Sequence, residues 1–182
     1  MGNITVHEFI SLDGVIESPS WTMDYPFDPR MGEAIGRIMG SSAALLLGRR
    51  TYEMFAPAWA GRTAEEDPGA PFMNETPKYV VSATLQDPEW NNSSVLGPYD
   101  PDAIRALKGR LEQNIYVSGS AQLVRGMLAD GLVDELHLFV FPVAIGSGQR
   151  LFEEGAGAKF ELSETERYDS GVVHLAYRAA TA

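Results

Sequence analysis

Two short stretches of this sequence hold the residues best suited to chemistry. Gly48-Arg49-Arg50-Thr51 and Ser118-Gly119-Ser120 each follow an apolar run, residues 43–47 and 115–117, and each leads into an amphipathic stretch. A helix start offers unpaired backbone N–H groups and a partial positive charge, which together suit a phosphate. Arg49 or Arg50 adds a charge-assisted fork and the Thr51 hydroxyl another donor, while Gly119 lets the backbone come close to a pyrophosphate. Two phosphate sites on neighbouring strand ends describe a dinucleotide. The same residues also serve as turn and cap chemistry, and Arg49-Arg50 also reads as a solvated pair. No full G-x-G-x-x-G follows any strand, so spacing alone leaves both readings open.

Charge sharpens the question. The chain has 182 residues, with 14 Lys+Arg against 25 Asp+Glu and a formal charge of −11. Such a field repels a nucleic-acid backbone, so no nucleic-acid partner is expected, and an anionic ligand must find a local pocket of positive charge. Cysteine is absent, which removes disulfides, thiol catalysis and cysteine-ligated zinc. His7, His137 and His174 have no metal spacing, so no metal is expected. The start MGNITVHEF lacks the basic and apolar regions of an export signal. No apolar run approaches a membrane span, the longest (residues 138–145) being interrupted by Pro142. A cytoplasmic protein without a membrane partner is the expectation.

The elements that must position these residues follow from pattern. Residues 4–10 read as a buried strand running into a turn at Ser11-Leu12-Asp13-Gly14. Met31, Ala34, Ile35, Ile38 and Met39 fall at helical spacing. Residues 43–47 read as a strand buried on both faces, and 50–55 as one or two helical turns. Six prolines and glycines punctuate 56–77, which predicts a long surface loop or flap. Strands are expected at 79–81, 94–96 and 115–117. Asp100-Pro101 starts a helix with Ile104, Leu107 and Leu111 inward. A second helix carries Leu123, Val124, Met127 and Leu128 and stops at Gly131. A long strand at 135–143 is followed by two more, 160–168 and 172–177, around Asp169-Ser170-Gly171. The order predicts an α/β fold, with a mainly parallel central sheet flanked by helices and a C-terminal antiparallel hairpin. One domain over 1–182 is expected, since no linker divides it.

The stretches Ser11-Leu12-Asp13-Gly14-Val15-Ile16, Leu47-Gly48-Arg49-Arg50-Thr51-Tyr52-Glu53, Val80-Val81-Ser82, Tyr116-Val117-Ser118-Gly119-Ser120, Gly131-Leu132-Val133-Asp134-Glu135-Leu136, Phe141-Pro142 and Gly146-Ser147-Gly148 resemble the dihydrofolate reductase-like superfamily. That superfamily includes the reductase domain of riboflavin-biosynthesis deaminase/reductases. The resemblance covers nearly the whole chain in order. It implies NADPH as hydride donor, with Gly48, Arg49 and Thr51 around the phosphates and Ser82 at the adenosine 2′-phosphate. It further implies Gly119, Ser120, Ala121 and Gln122 along the pyrophosphate and nicotinamide ribose, Asp13 and Gly14 in a mobile loop over the nicotinamide, and Trp21 beside the cofactor. A homodimer is the family's common state, with the C-terminal strands as contact edges.

The substrate half departs from both relatives. Folate reductases carry an acid on the helix after the first loop; Asp28 is the choice for proton donor here, with Glu33 and Asp24 as competitors and bound water as another route. Asp28 also reads as a helix cap. Thr76-Pro77-Lys78 stands where the folate enzymes grip an acidic tail, and Val117 stands where the riboflavin enzymes carry an acid. Trp59, Phe72 and Trp90 either wall a substrate pocket or pin a loop. The expectation is an NADPH-dependent oxidoreductase acting on a small pterin-like or pyrimidine-like acceptor. Its alternatives are a catalytically silent NADPH- or nucleotide-binding module and a binder of another phosphorylated ligand.

Overall fold

Strand β1 (Ile4–Ser11) is buried along nearly its whole length, as expected of a strand covered on both faces. Its side chains alternate between two cores. Ile4, Val6 and Ile10 enter one with Ile115, Val117, Leu123 and Met127. Phe9 enters the other beside Leu45, Leu47, Tyr116, Phe139 and Phe141. The computed structural model describes residues 1–155 and 157–180. After β1 come a short 3-10 turn at Ser20–Asp24, α1 (Pro29–Gly40), β2 (Ser42–Gly48), α2 (Arg49–Trp59), α3 (Ala70–Glu75), β3 (Lys78–Val81), β4 (Ser93–Gly97), α4 (Pro101–Arg110), β5 (Asn114–Ser118), α5 (Ala121–Ala129), β6 (Glu135–Phe141), β7 (Phe160–Arg167) and β8 (Val173–Ala179).

The strands form one sheet in the order β4-β3-β2-β5-β1-β6-β8-β7. Pairing is parallel from β4 to β6 and antiparallel for β6–β8 and β8–β7. The mainly parallel sheet with its C-terminal hairpin is therefore the observed architecture. The hairpin folds back so that β8 lies against β6 and β7 forms the edge. Helices α4 and α5 contribute Ile104, Leu107, Val124 and Met127 to one core; α1, α2 and α3 contribute Ala34, Ile38, Tyr52 and Met73 to the other. Among the described residues, no helix is long and apolar enough to cross a membrane.

Local chemistry explains the boundaries. Asp28 and Asp100 cap α1 and α4 by accepting the N–H of Arg30 and Asp102, each followed by a proline in the first turn. The 135–143 strand stops two residues early because Pro142 has no N–H for the ladder. The segment 56–77 is corrected more substantially. Helix α2 continues through Pro57 to Trp59, and α3 occupies 70–75 with Pro71 in its first turn. Pro57 removes the bond to the Glu53 carbonyl two residues before α2 ends, so little of the helix lies beyond the break, and burial of Ala70 and Met73 offsets the breakers around α3. The irregular part shrinks to 60–69 and 76–77.

Candidate active site

The carboxyl ends of β1, β2, β3 and β5 open onto a single cleft of about 1700 Å³, where an α/β sheet places its ligands. Strands β2 and β5 are neighbours, so α2 and α5 begin side by side. Gly119 and Ser120 turn the chain from β5 into α5 with φ of +63° and +60°. A glycine accepts this left-handed conformation freely, whereas Ser120 adopts it at a cost. The two helix starts are stitched together: Gly48 N–H donates to Ser120 Oγ at 3.0 Å, and Ser120 N–H donates to Thr51 Oγ1 at 2.9 Å. Contact is close, since a Cβ on Gly119 would meet the Thr51 side chain at 3.3 Å.

Gly48, Arg49, Arg50, Thr51, Ser82, Gly119, Ser120, Ala121 and Gln122 all line this cleft. Neither α2 nor α5 has a side-chain cap among the described residues, which leaves their first-turn N–H groups facing whatever enters. Three expected donors are already engaged, those of Gly48, Gly119 and Ser120. Arg49 is also committed, through a 2.9 Å pair with Glu53 one turn along α2. Ser82 is buried and its Oγ accepts the N–H groups of Thr84 and Leu85, shaping the turn after β3.

Asp13, Gly14, Trp21 and Asp28 lie outside the cleft lining. Asp13 anchors the loop after β1, accepting from the Ser11 hydroxyl at 2.6 Å and from Ile145 and Gly146 N–H at 3.0 and 2.7 Å. These bonds hold its carboxyl well below the usual range. Gly14 carries the turn at φ +83° and its carbonyl accepts from Leu151, so this part of the loop is pinned to 145–151. Ile16, Glu17 and Ser18 reach the cleft instead. Trp21 stands edge-on to Phe141 at 5.3 Å. Asp28 is the α1 cap and pairs with Arg30 at 2.7 Å; that hydrogen bond is the main reason its pKa falls to about 2. A carboxylate held ionised in this way has no proton to donate near neutral pH, and Asp28 faces the β7–β8 turn.

Sequence reasoning missed Glu8. It projects from β1 on the α5 side, is only 2% exposed and lines the cleft. One carboxyl oxygen, Oε2, accepts Gly119 N–H at 3.0 Å; Oε1 has no partner among the described residues. Burial raises its pKa well above the ordinary value, against a smaller opposing effect from the Gly119 N–H. The signal was present in the sequence, as an acid in the middle of a strand that must be buried on both faces. On the opposite face His7 Nδ1 meets the Tyr116 hydroxyl at 2.7 Å, and burial lowers the His7 pKa to about 3. The three tryptophan and phenylalanine candidates divide. Trp59 and Phe72 line the cleft, whereas Trp90 is buried and pinned, its indole N–H donating to Asn74.

Known proteins resemble this chain in sequence and fold. The uncharacterised protein YyaP of Bacillus subtilis is 27% identical over 176 residues, spanning 92% of this chain and 90% of its own. Among solved structures, a Shewanella sp. PV-4 protein provisionally assigned to riboflavin biosynthesis superposes over the full length of both chains, with a TM-score of 0.81 at 21% identity. The diaminohydroxyphosphoribosylaminopyrimidine deaminase/5-amino-6-(5-phosphoribosylamino)uracil reductase of Thermotoga maritima matches with a TM-score of 0.68 at 18% identity, over 98% of this chain and 57% of that one. The sequence profile of the RibD C-terminal domain runs from residue 3 to residue 174, through seven strands and into the eighth, and the chain is a member of that family.

Proposed function

We propose that this chain is a reductase that binds NADPH in the cleft and delivers hydride to a small organic acceptor. The observation that carries the reading is the convergence of two uncapped helix starts, from the adjacent strands β2 and β5, on one mouth of an otherwise acidic molecule. Their free N–H groups and Arg50 suit the pyrophosphate, and the turn after Ser82 suits the adenosine phosphate. The glycine at 119 keeps the strand-end backbone clear of a side chain. When bound, NADPH supplies the hydride. The protein orients the ring and excludes water.

The chain's own acid–base contribution is assigned to Glu8. Its Oε2 accepts from Gly119, so the proton of the neutral acid sits on Oε1, inside the cleft wall. Asp28 is left with its capping role. We also read residues 1–182 as one domain that pairs as a homodimer through β7, an edge strand that is exposed along most of its length and carries Leu162 at 55% exposure.

Cofactor fluorescence tests the reading. NADPH titrated into the protein should saturate in the micromolar range, and NADH should bind more weakly. An unsaturated titration removes the proposal. Saturation without NADPH oxidation across a broad set of carbonyl and heterocyclic acceptors favours the catalytically silent module.

A further inference from the structure

We infer that the acceptor half of the cleft takes a flat aromatic substrate without a phosphate or other anionic tail; this rests on the reductase reading above. The two halves of the cleft differ in chemistry. Toward α5 and the start of α2 stand the helix ends suited to phosphate. Toward α1 and α3 the wall is built from Ile35, Met39, Trp59 and Phe72. Phe72 packs edge-on against Tyr116 at 5.7 Å, at an interplanar angle of 90°, which fixes a ring at the base of this wall. Gly36 lines the same space, and a Cβ there would meet nothing within 4 Å. Helix α1 therefore offers bare backbone along which a planar ring can lie.

Charge is distributed unevenly across the cleft. The lysines and arginines among its lining residues are Arg49 and Arg50, both at the α2 start. The acceptor half instead presents Glu33, Glu66 and Asp67. Glu66 is fixed by the Thr63 N–H and hydroxyl, and Asp67 by Gly69 N–H. Arg62 lies outside the lining, spread over the Trp59 ring at 4.8 Å and paired with Asp67 at 3.5 Å. Lys78, which the sequence sets where a tail-gripping cation could stand, is buried. Its ammonium donates to the carbonyls of Asn74, Thr76 and Asn91 at 2.9–3.2 Å. The polar groups left at the base are the His7–Tyr116 pair, and His7 stays neutral. A neutral pair can recognise a carbonyl or hydroxyl, but a phosphate entering here would meet three carboxylates and no free cation.

Riboflavin and FMN share one ring system and differ by a phosphate, so they isolate this term. NADPH binding is measured first by fluorescence; each flavin is then titrated into protein saturated with NADP⁺, following quenching of flavin emission. Riboflavin should bind at least ~10-fold more tightly than FMN, and Glu33→Lys should narrow that ratio. Equal or tighter FMN binding, or no quenching of either flavin, overturns the inference while leaving the reductase reading intact. Failure of NADPH to bind removes the reductase reading itself.

Discussion

Glu8 and Gly119 meet across the β1–β5 pair, the carboxyl oxygen accepting the glycine N–H at 3.0 Å. The bond ties the floor of the cleft to the turn that starts α5. Because Glu8 is buried, its proton stays on in the folded chain above the pH at which the unfolded chain releases it. The folded state then binds more protons than the unfolded one. Stability is lost as pH rises from about 4.5 through the folded pKa. Glu8→Gln keeps an acceptor for Gly119 and removes that linkage. Melting temperatures should coincide with the parent near pH 4.5 and exceed it increasingly as pH rises toward the folded pKa of Glu8. An unchanged difference across that range would show that Glu8 is ionised in the fold. The same variant should slow NADPH oxidation with little change in NADPH affinity.

Two glycines of the cleft should respond in opposite directions. Gly119 has φ +63°, and its Cβ would meet Thr51 at 3.3 Å. Gly119→Ala should cost ~1–2 kcal/mol and weaken NADPH binding, because the stitched helix starts must separate. Gly36 sits in the exposed middle of α1 with open space where a Cβ would go. Gly36→Ala should therefore stabilise the fold by ~0.5–1 kcal/mol, leave NADPH affinity alone and reduce room for the acceptor. Urea unfolding and cofactor titration read the stability and affinity effects, and titration of riboflavin into the NADP⁺-saturated variant reads the loss of room.

The fold was legible where the apolar period was unambiguous. Residues 4–10, 43–47 and 115–117 read as buried strands because nearly every side chain enters a core, and the same strand ends located the cleft. The 56–77 segment was misread because breaker residues speak only for the backbone. Met73 and Ala70 stabilise α3 through contacts with a core the local sequence does not reveal. Within the site, residue types at strand–helix junctions indicated the part of the cleft whose helix starts suit a phosphate, but not which N–H groups the protein keeps for itself. Gly119 N–H goes to Glu8 and Ser120 N–H to Thr51, pairings separated by 111 and 69 residues. Asp28 and Asp13 were ambiguous too. A short acid can cap, pin a loop or donate a proton; the side-chain rotamer of Arg30 decides for Asp28, and the distant N–H groups of Ile145 and Gly146 decide for Asp13.

Acid should destabilise the protein through its histidines. His7 and His174 are held near 3 and 4, and His137 is lowered as well, in each case chiefly by burial. His137 Nδ1 and His174 Nε2 lie 3.0 Å apart, and His174 stacks on Phe139 at 4.3 Å. Glu135, Glu164 and Glu166 nearby favour the protonated forms, and Arg37 opposes it at His174. Below pH 6.5 the unfolded chain takes up protons that the folded chain refuses, so stability falls as pH falls, by at most ~1.4 kcal/mol per pH unit for each histidine. The depressed carboxylates Asp13 and Asp28 contribute stability that is lost only below about pH 4. The three histidines outweigh the opposing Glu8 linkage once the unfolded chain is largely protonated at them, so the melting temperature should drop between pH 6 and pH 5, and His174→Gln should flatten that slope.

Arg49 and Arg50 occupy consecutive positions but should contribute unequally to cofactor affinity. Arg49 spends its guanidinium on Glu53, with both carboxylate oxygens at 2.9–3.0 Å, whereas Arg50 is exposed and lines the same cleft. In an acidic molecule, each unneutralised cation at the helix start offsets a field that otherwise repels the ligand. Arg50→Ala should raise the NADPH Kd about tenfold, equivalent to ~1.4 kcal/mol, and Arg49→Ala should raise it less. Glu53→Gln releases Arg49 toward the phosphates and should tighten binding about threefold at low salt. That gain should fade as ionic strength rises, because it comes from a solvent-exposed charge. Equal losses for the two arginines, with no gain from Glu53→Gln, would mean that both cations act on the ligand despite the Glu53 pair.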